Sequence, residues 1–191
     1  LPSKLKAIGK YNFDYCNALK EITIPSSVKT IGYSAFHGCK SLEKINFSEG
    51  LVSIGIYAFE GCNSLKDLKM PDSVEKIGIS AFSNCTDIES IYIPKNLKKT
   101  ELQDVFELDS IKKISIAEGN KYYDSRDNCN AIIETSSNTL VMGLNNSTIP
   151  EGVTAIGNNA FFNCDKLKEI SIPSRRFALR LSSRNRARFS L

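Results

Sequence analysis

Six cysteines are the residues of this chain best suited to chemistry, because thiolates can attack substrates, bind metals or form disulfides. Five recur at one position of an internal repeat: Cys16, Cys39, Cys62, Cys85 and Cys164. Side chains stacked in this way point in the same direction, and no C-x-x-C pair accompanies them, so disulfides and zinc are disfavoured. We predict buried thiols that act as small apolar side chains. Cys129 lies outside the repeat and is the one candidate for an exposed thiol, or else a partly buried hairpin residue.

Other reactive groups are sparse. A catalytic site needs convergent acid, base or nucleophile groups, and the chain has one histidine, His37, which we interpret as a solvated loop position. Asp124, Asp127 and Asn128 carry suitable oxygens for calcium, but they lack the bidentate glutamate and the loop length of an EF-hand, so a turn explains them. The sequence therefore predicts a non-catalytic protein with no cofactor and no metal site.

An internal repeat positions all of these residues. Phe13, Phe36, Phe59 and Phe82 follow one another at intervals of 23 residues, each inside the same pattern of isoleucine, glycine, cysteine and leucine. A period in this range indicates a solenoid, in which each unit becomes stable only when neighbours stack on it. The function is therefore expected on a surface of the stack.

Each unit divides into two halves. The L-x-x-I-x-I half, as at 19–24, ends with the period of two of a short strand. Strands stacked about 4.8 Å apart predict one continuous parallel ladder on the concave wall. The other half spaces Ile31, Phe36 and Cys39 for one or two turns of helix on the convex wall. The glycine after the isoleucine marks a bend that needs a positive φ or a close backbone approach.

The full motif I-P-x-x-V-x-x-I-G-x-x-A-F-x-x-C-x-x-L resembles the BspA-like (treponemal-type) leucine-rich repeat family. The resemblance covers residues 2–173, and the motif returns clearly at 150–173. It implies an α/β solenoid, a right-handed leucine-rich-repeat superhelix with a parallel concave β-sheet and short convex helices. It also implies a cell-surface or secreted adhesin that binds other proteins.

Two stretches depart from the motif. In repeat five, five other residues replace the expected Ile, Gly, Ala, Phe and Cys: Thr100, Glu101, Asp104, Val105 and Leu108. Its convex half is therefore expected to be remodelled. The next repeat is longer, at 117–149, and its apolar runs at 130–134 and 139–142 surround a polar turn. This pattern predicts a hairpin insert.

The predicted organisation is a solenoid at 1–173 followed by an Arg-rich tail at 174–191. The tail carries six arginines and no acid, and without it 19 basic and 21 acidic residues remain. Nucleic acid or an anionic membrane would have to bind through these arginines, but no aromatic platform accompanies them. We favour a disordered end or read-through from a cloning vector. The chain begins within the repeat rhythm, as a piece of a longer protein would, and no apolar run suggests membrane insertion.

The outward strand positions are the candidate ligand-binding residues of the concave face. They are Glu21, Thr23, Lys44, Asn46, Asp67, Lys69, Ser90, Tyr92, Lys113 and Ser115. Their charge is mixed, and Tyr92 is the single aromatic that could anchor a partner. The ligand would be a protein, either a host or matrix protein or another surface protein. A solvated face without a ligand, in repeats that only space a longer surface protein, is the alternative.

Overall fold

The structure is a computed structural model that describes residues 1–100, 102–106, 110–162, 164–172 and 178–179. Short strands and two 3₁₀ helices, Leu102–Asp104 and Arg126–Asn128, make up its regular elements. The strands are β1 (Ala7–Ile8), β2 (Glu21–Ile24), β3 (Thr30–Ile31), β4 (Lys44–Phe47), β5 (Ser53–Ile54), β6 (Asp67–Lys69), β7 (Lys76–Ile77), β8 (Ser90–Ile93), β9 (Lys113–Ile116), β10 (Tyr123–Asp124), β11 (Ile132–Glu134), β12 (Thr139–Met142), β13 (Ala155–Ile156) and β14 (Ala178–Leu179). No helix within the described ranges has the length and apolar character needed to cross a membrane.

Two parallel ladders run along the stack. The short ladder joins β1, β3, β5 and β7, and the long ladder contains β2, β4, β6, β8 and β9. Each paired residue lies 23 positions from its partner, as in Ala7 with Thr30 and Glu21 with Lys44. The predicted period and the predicted strands are therefore confirmed.

The long ladder is not continuous, so that detail of the prediction was wrong. β2 pairs with β4, and β6, β8 and β9 pair together, but β4 and β6 form separate sheets. The interruption lies beside Phe47, which occupies the position of Ile24 and Ile93 and packs edge-on against Phe59 with ring centroids 6.1 Å apart.

The predicted convex helices were also wrong, and the fold is a β-solenoid. Two positions of each of the first four repeats have a positive φ that an α-helix cannot contain. They are Tyr11, Ser34, Tyr57 and Ser80 at the first position, and Tyr15, Gly38, Gly61 and Asn84 at the second. Backbone groups between them bond to the next rung instead. The Phe36 N–H donates to the Ala58 carbonyl at 2.7 Å, whereas the Cys39 N–H closes a local turn to Phe36 at 3.3 Å.

The glycine of each Ile-Gly pair allows the backbones of neighbouring rungs to approach closely. A positive φ is not found at Gly32, Gly55 or Gly78. A Cβ on Gly55 would lie 2.7 Å from the carbonyl carbon of Gly32, and a Cβ on Gly78 would lie 2.3 Å from the Ile56 nitrogen. Neighbouring rungs therefore touch through bare backbone at this position.

Phenylalanines and cysteines fill the core in parallel columns. Phe13, Phe36, Phe59, Phe82 and Phe106 stack with centroids 4.9 to 5.7 Å apart. The thiols of Cys39, Cys62 and Cys85 each donate to the phenylalanine carbonyl of the preceding rung, at 3.0 to 3.3 Å. The neighbouring Cys39 thiol, together with burial, raises the pKa of the Cys62 thiol.

The cysteine predictions hold for the central rungs only. Cys39, Cys62 and Cys85 are buried, as predicted, but Cys16 is exposed and Cys164 is half-buried. Cys16 belongs to the first rung that the structure describes, and none of the described residues stacks on its outer side. The prediction that Cys129 is the candidate exposed thiol was wrong, because Cys129 is 1% exposed and packs in a second core with Ile133 and Leu140.

The predicted hairpin is present and belongs to a larger sheet. β11 and β12 are antiparallel, with Glu134 opposite Thr139, and β10 adds a third antiparallel strand that the sequence did not predict. β12 then pairs in parallel with β13, and β13 with β14. β14 lies 23 residues after β13, within the predicted tail, and the arginines of that tail lie outside the described residues.

Two side chains of the insert replace missing backbone partners. The Tyr123 hydroxyl accepts from the Thr100 N–H at 2.8 Å and donates to the Thr100 carbonyl at 2.9 Å. The Asn130 amide oxygen accepts from the Ile114 N–H at 2.8 Å, while its nitrogen donates to the Lys112 carbonyl at 2.9 Å. Repeat five is thus joined to the insert by side chains, where regular rungs use backbone.

Candidate protein-binding face

All ten predicted site residues lie on one surface, which we call the strand face. Along β2, Ile22 and Ile24 are buried while Glu21 and Thr23 are exposed, and β8 repeats the alternation with half-exposed outward residues. The strand pairing places the outward residues of neighbouring rungs side by side. The predicted alternation of inward and outward residues is confirmed on these strands, because a period of two leaves only one choice for the apolar side.

In the first two rungs, the outward residues pair with one another. Lys44 Nζ lies 3.3 Å from Glu21 Oε1, and the Asn46 amide donates to the same oxygen at 2.7 Å. The Asn46 hydrogen bond, followed by the Lys44 contact, lowers the pKa of Glu21. These polar groups are oriented by each other while still open to solvent.

Tyr92 organises the second part of the strand face. Its hydroxyl donates to Asp72 at 2.9 Å, and the ammonium of Lys69 lies 5.9 Å from its ring centroid. Burial and the Asp72 hydrogen bond raise the pKa of Tyr92. Beside it, the Ser90 hydroxyl donates to Asp67 at 2.5 Å. The ring is therefore held in one orientation before any partner arrives.

A cleft separates these two groups where the long ladder is interrupted. It encloses about 540 Å³ between β4 and β6, and Lys44, Asn46, Phe47, Asp67 and Lys69 are among its lining residues. The structure thus brings the ten residues onto one face but divides them between two sheets. Lys113 and Ser115 lie at the far end, on β9.

Sequence reasoning missed an apolar stripe beside the short ladder. Tyr11, Ile56 and Ile79 are 41 to 57% exposed. The rings of Tyr11, Tyr33 and Tyr57 follow one another edge to face, with centroids 5.3 and 5.7 Å apart. The signal was available, because Tyr33, Ile56 and Ile79 each directly follow the glycine of an Ile-Gly pair.

His37 is less isolated than predicted. Its Nδ1 lies 2.8 Å from Asp14 Oδ1, its Nε2 lies 3.8 Å from Glu60 Oε2, and the ring packs edge-on against Tyr15. The half-buried imidazole thus bridges carboxylates of the rungs on either side. Among the described residues, no group of three or more His, Cys, Asp or Glu side chains is arranged to hold a metal.

Three solved structures with the same fold are of bacterial proteins. Pneumococcal vaccine antigen PcpA is 23% identical with a TM-score of 0.64, and the match covers 89% of this chain and 53% of PcpA. The T. pallidum leucine-rich repeat protein TpLRR is 26% identical with a TM-score of 0.54, covering 89% and 66%. A leucine-rich repeat protein from Eubacterium ventriosum is 20% identical with a TM-score of 0.59, covering 85% and 50%. The chain spans about half to two thirds of the length of these proteins.

The family is identified by the match of the sequence to a family model. No curated protein matches it. Six copies of the repeat described as "BspA type Leucine rich repeat region" match at residues 6–132 and 131–180, which together cover most of the chain. With the period of 23 residues and the stacked rungs, this match is conclusive: the chain belongs to the BspA-type leucine-rich repeat family.

Proposed function

We propose that this chain is a non-catalytic, protein-binding segment of a cell-surface or extracellular protein and that its ligand binds the strand face. The oriented Tyr92 carries the proposal. A tyrosine that is already fixed by Asp72 and flanked by Lys69 loses little freedom on binding, and aromatic anchors of this kind dominate protein interfaces.

Further support comes from the geometry of the face. Outward side chains of neighbouring rungs stand in register, so a protein partner can contact several strands at once. The mixed charges, with Glu21 and Asp67 beside Lys44 and Lys69, favour a protein surface over a uniformly charged polymer. A host or matrix protein, or another surface protein, has this mixed character.

The surface location is part of the same proposal. Leucine-rich repeats of this family suggest display outside the cell, and the description of PcpA as a vaccine antigen is in keeping with it. Antibody raised against the chain should label intact cells of the source organism. Labelling only after permeabilisation would contradict the location.

The test of the binding face uses the chain itself against a panel of host and matrix proteins. A triple variant of the chain carries Lys44→Ala, Lys69→Ala and Tyr92→Ala. It should bind a partner found in this way at least about tenfold more weakly, as expected for loss of an aromatic anchor. The control carries Lys40→Ala, Glu151→Ala and Asp165→Ala, three exposed positions that are not among the strand-face residues. It should bind as the wild type does, with both variants unfolding at similar denaturant concentrations.

Other results would redirect the proposal. Loss of affinity with Ile56→Ser and Ile79→Ser, but not with the strand-face variant, would move the site to the apolar stripe. The alternative in which the repeats only space a longer surface protein predicts that no panel member binds.

A further inference from the structure

The long ladder ends at β9 with an open edge. In a parallel ladder, the N–H and C=O of alternate residues point to the same neighbour. Lys113 and Ala117 donate their N–H groups back to the preceding rung, at Glu89 and Ile93. The backbone groups of Ile114 and Ile116 therefore point away from β8, toward the position of the next strand.

Only the first part of this edge is filled. Asn130 takes the Lys112 carbonyl and the Ile114 N–H, and the Asn146 amide also reaches the Lys112 carbonyl at 3.3 Å. In the described part of the chain, the Ile114 carbonyl and both backbone groups of Ile116 have no hydrogen-bond partner. Where neighbouring rungs pair, the equivalent carbonyl is used: Ser48 N–H donates to the Ile24 carbonyl at 3.1 Å, and Ala117 N–H donates to the Ile93 carbonyl at 2.9 Å.

The edge stays open because a later segment of the same polypeptide occupies the position of the next rung. Residues 129–130 lie between β9 and residues 147–148: Thr148 N–H donates to the Cys129 carbonyl, and the Ser147 hydroxyl donates to the Asn130 carbonyl. Asn130 has a positive φ of 52°, so the segment bends beside Ile114 and does not follow β9. A slot of about 750 Å³ results, lined by Ile114, Ile116, Tyr123 and Arg126 among others. Its volume is typical of ligand sites.

We propose that this slot binds an extended segment of a protein ligand, which adds to β9 as a short strand. Free backbone groups in a row are recognised by another extended backbone and by little else. The inference rests on the proposed function, since it names the part of a protein ligand that is held.

The side chains around the slot define the segment further. The buried side of β9 presents Ile114, so an inserted strand needs apolar residues at alternate positions facing inward. On the strand face, Lys113 has no acidic partner among the described residues, whereas Arg126 is already neutralised by Asp124 at 2.6 Å. An acidic residue between the two apolar positions would lie diagonal to Lys113, within reach of its ammonium. The preferred segment is apolar–acidic–apolar.

The probe is the peptide acetyl-Ser-Ile-Glu-Ile-Ser-amide, added to the ¹⁵N-labelled chain. We expect its addition to shift the amide signals of Ile116 and its neighbours on β9. The counterpart with lysine in place of glutamate should bind several-fold more weakly, and Lys113→Glu should invert that preference. No binding of the glutamate peptide, or shifts confined to β2 and β4, would overturn the proposal.

Backbone methylation provides the matched control. In one peptide the glutamate nitrogen is methylated, and in the other both isoleucine nitrogens are. When the apolar side chains point inward, either the glutamate N–H or the two isoleucine N–H groups face β9, but not both. A shift by one residue would exchange the two sides but would also turn the apolar side chains outward. We expect one methylated peptide to lose about tenfold or more in affinity and the other to keep it. Equal affinities would show that backbone pairing is not involved.

Two further outcomes separate this inference from its alternatives. Shifts of the Ile116 signal on raising the protein concentration without peptide would assign the slot to a second copy of the chain and overturn the proposal. A protein partner that depends on Lys44, Lys69 and Tyr92, found together with a failed peptide assay, would leave the proposed function standing and remove only the slot.

Discussion

The regular rungs and the irregular insert are stabilised in different ways. At 1–93, neighbouring rungs exchange backbone hydrogen bonds at a constant offset, apart from the interruption between β4 and β6, and the same phenylalanine and cysteine contacts recur from the second rung to the fourth. Between repeat five and the insert, single side chains make the contacts: Tyr123 bonds to the backbone of Thr100, and Asn130 bonds to the backbone of Lys112 and Ile114. Outside the core, the stability of the regular rungs depends little on any one side chain, whereas the attachment of the insert depends on a few.

The largest expected effect is a core truncation in the regular region. Phe59→Ala should lower the free energy of unfolding by about 3–5 kcal/mol, because the ring is fully buried between Phe36 and Phe82. Phe13→Ala should cost less, because Phe13 is half-buried and stacks on one ring only. Denaturant unfolding of both variants measures the difference. Equal losses would contradict stacking as the source of stability.

A smaller effect tests whether one hydroxyl joins the insert to repeat five. Tyr123→Phe should cost about 1–3 kcal/mol, since it leaves the N–H and carbonyl of Thr100 without their partner. The control is Tyr57→Phe in the regular region, whose hydroxyl makes no hydrogen bond within the described residues, and it should be nearly neutral. The comparison between the regions fails if the two variants unfold alike.

The pH dependence of stability provides a third test. Hydrogen bonds from Lys99 and Ser137 lower the pKa of Glu134, which is 9% exposed. A carboxyl with a lowered pKa stabilises the folded state above its ordinary pKa, and that contribution is lost as the pH falls from about 5 toward the lowered value. Glu134→Gln should therefore remove about 1 kcal/mol at neutral pH and less at pH 3.

The matched control is Glu75→Gln in the regular region. Lys98 also lowers the pKa of Glu75 through an exposed ion pair, and solvent screens it. Unfolding curves at several pH values should show a weaker pH dependence for this control. A pH dependence of the same size at both sites would mean that burial in the insert contributes nothing.

Thiol labelling tests the comparison without altering stability. A thiol reagent should modify Cys16 quickly and Cys164 more slowly in the native protein, while Cys39, Cys62, Cys85 and Cys129 stay protected. Mass spectrometry of digested protein identifies the labelled positions. Early labelling of Cys129 would indicate that the insert opens more readily than the regular rungs.

The sequence was sufficient to predict whatever depends on periodicity. Repeated apolar positions predicted the rungs and the outward residues from Glu21 to Ser115, and two apolar runs around a polar turn predicted the hairpin of the insert. The backbone conformation of the convex halves could not be predicted from the sequence, because the spacing of Ile31, Phe36 and Cys39 suits a helix as well as a turn. The left-handed residues that exclude the helix include Tyr11, Ser34 and Tyr57, which are residue types that seldom mark such a conformation.

Contacts that occur once were equally beyond prediction. Nothing in the pattern around Tyr123 or Asn130 indicates that either side chain reaches the backbone of repeat five. Cys129 was misjudged for the same reason, since its burial comes from the second core formed with Ile133 and Leu140. The open edge of β9 follows from the path of residues 129–130, which the repeat does not encode.

The constant offset of the regular rungs has a genetic consequence. Because Ala7 pairs with Thr30 and Thr30 pairs with Ser53 in the same way, deleting or duplicating one 23-residue segment within 1–93 restores equivalent contacts in the short ladder at the junction. Recombination between similar stretches of the gene can thus lengthen or shorten the strand face in steps of about 4.8 Å without new packing. The stretch at 100–149 cannot be copied alone, since Tyr123 and Asn130 each require their own partner.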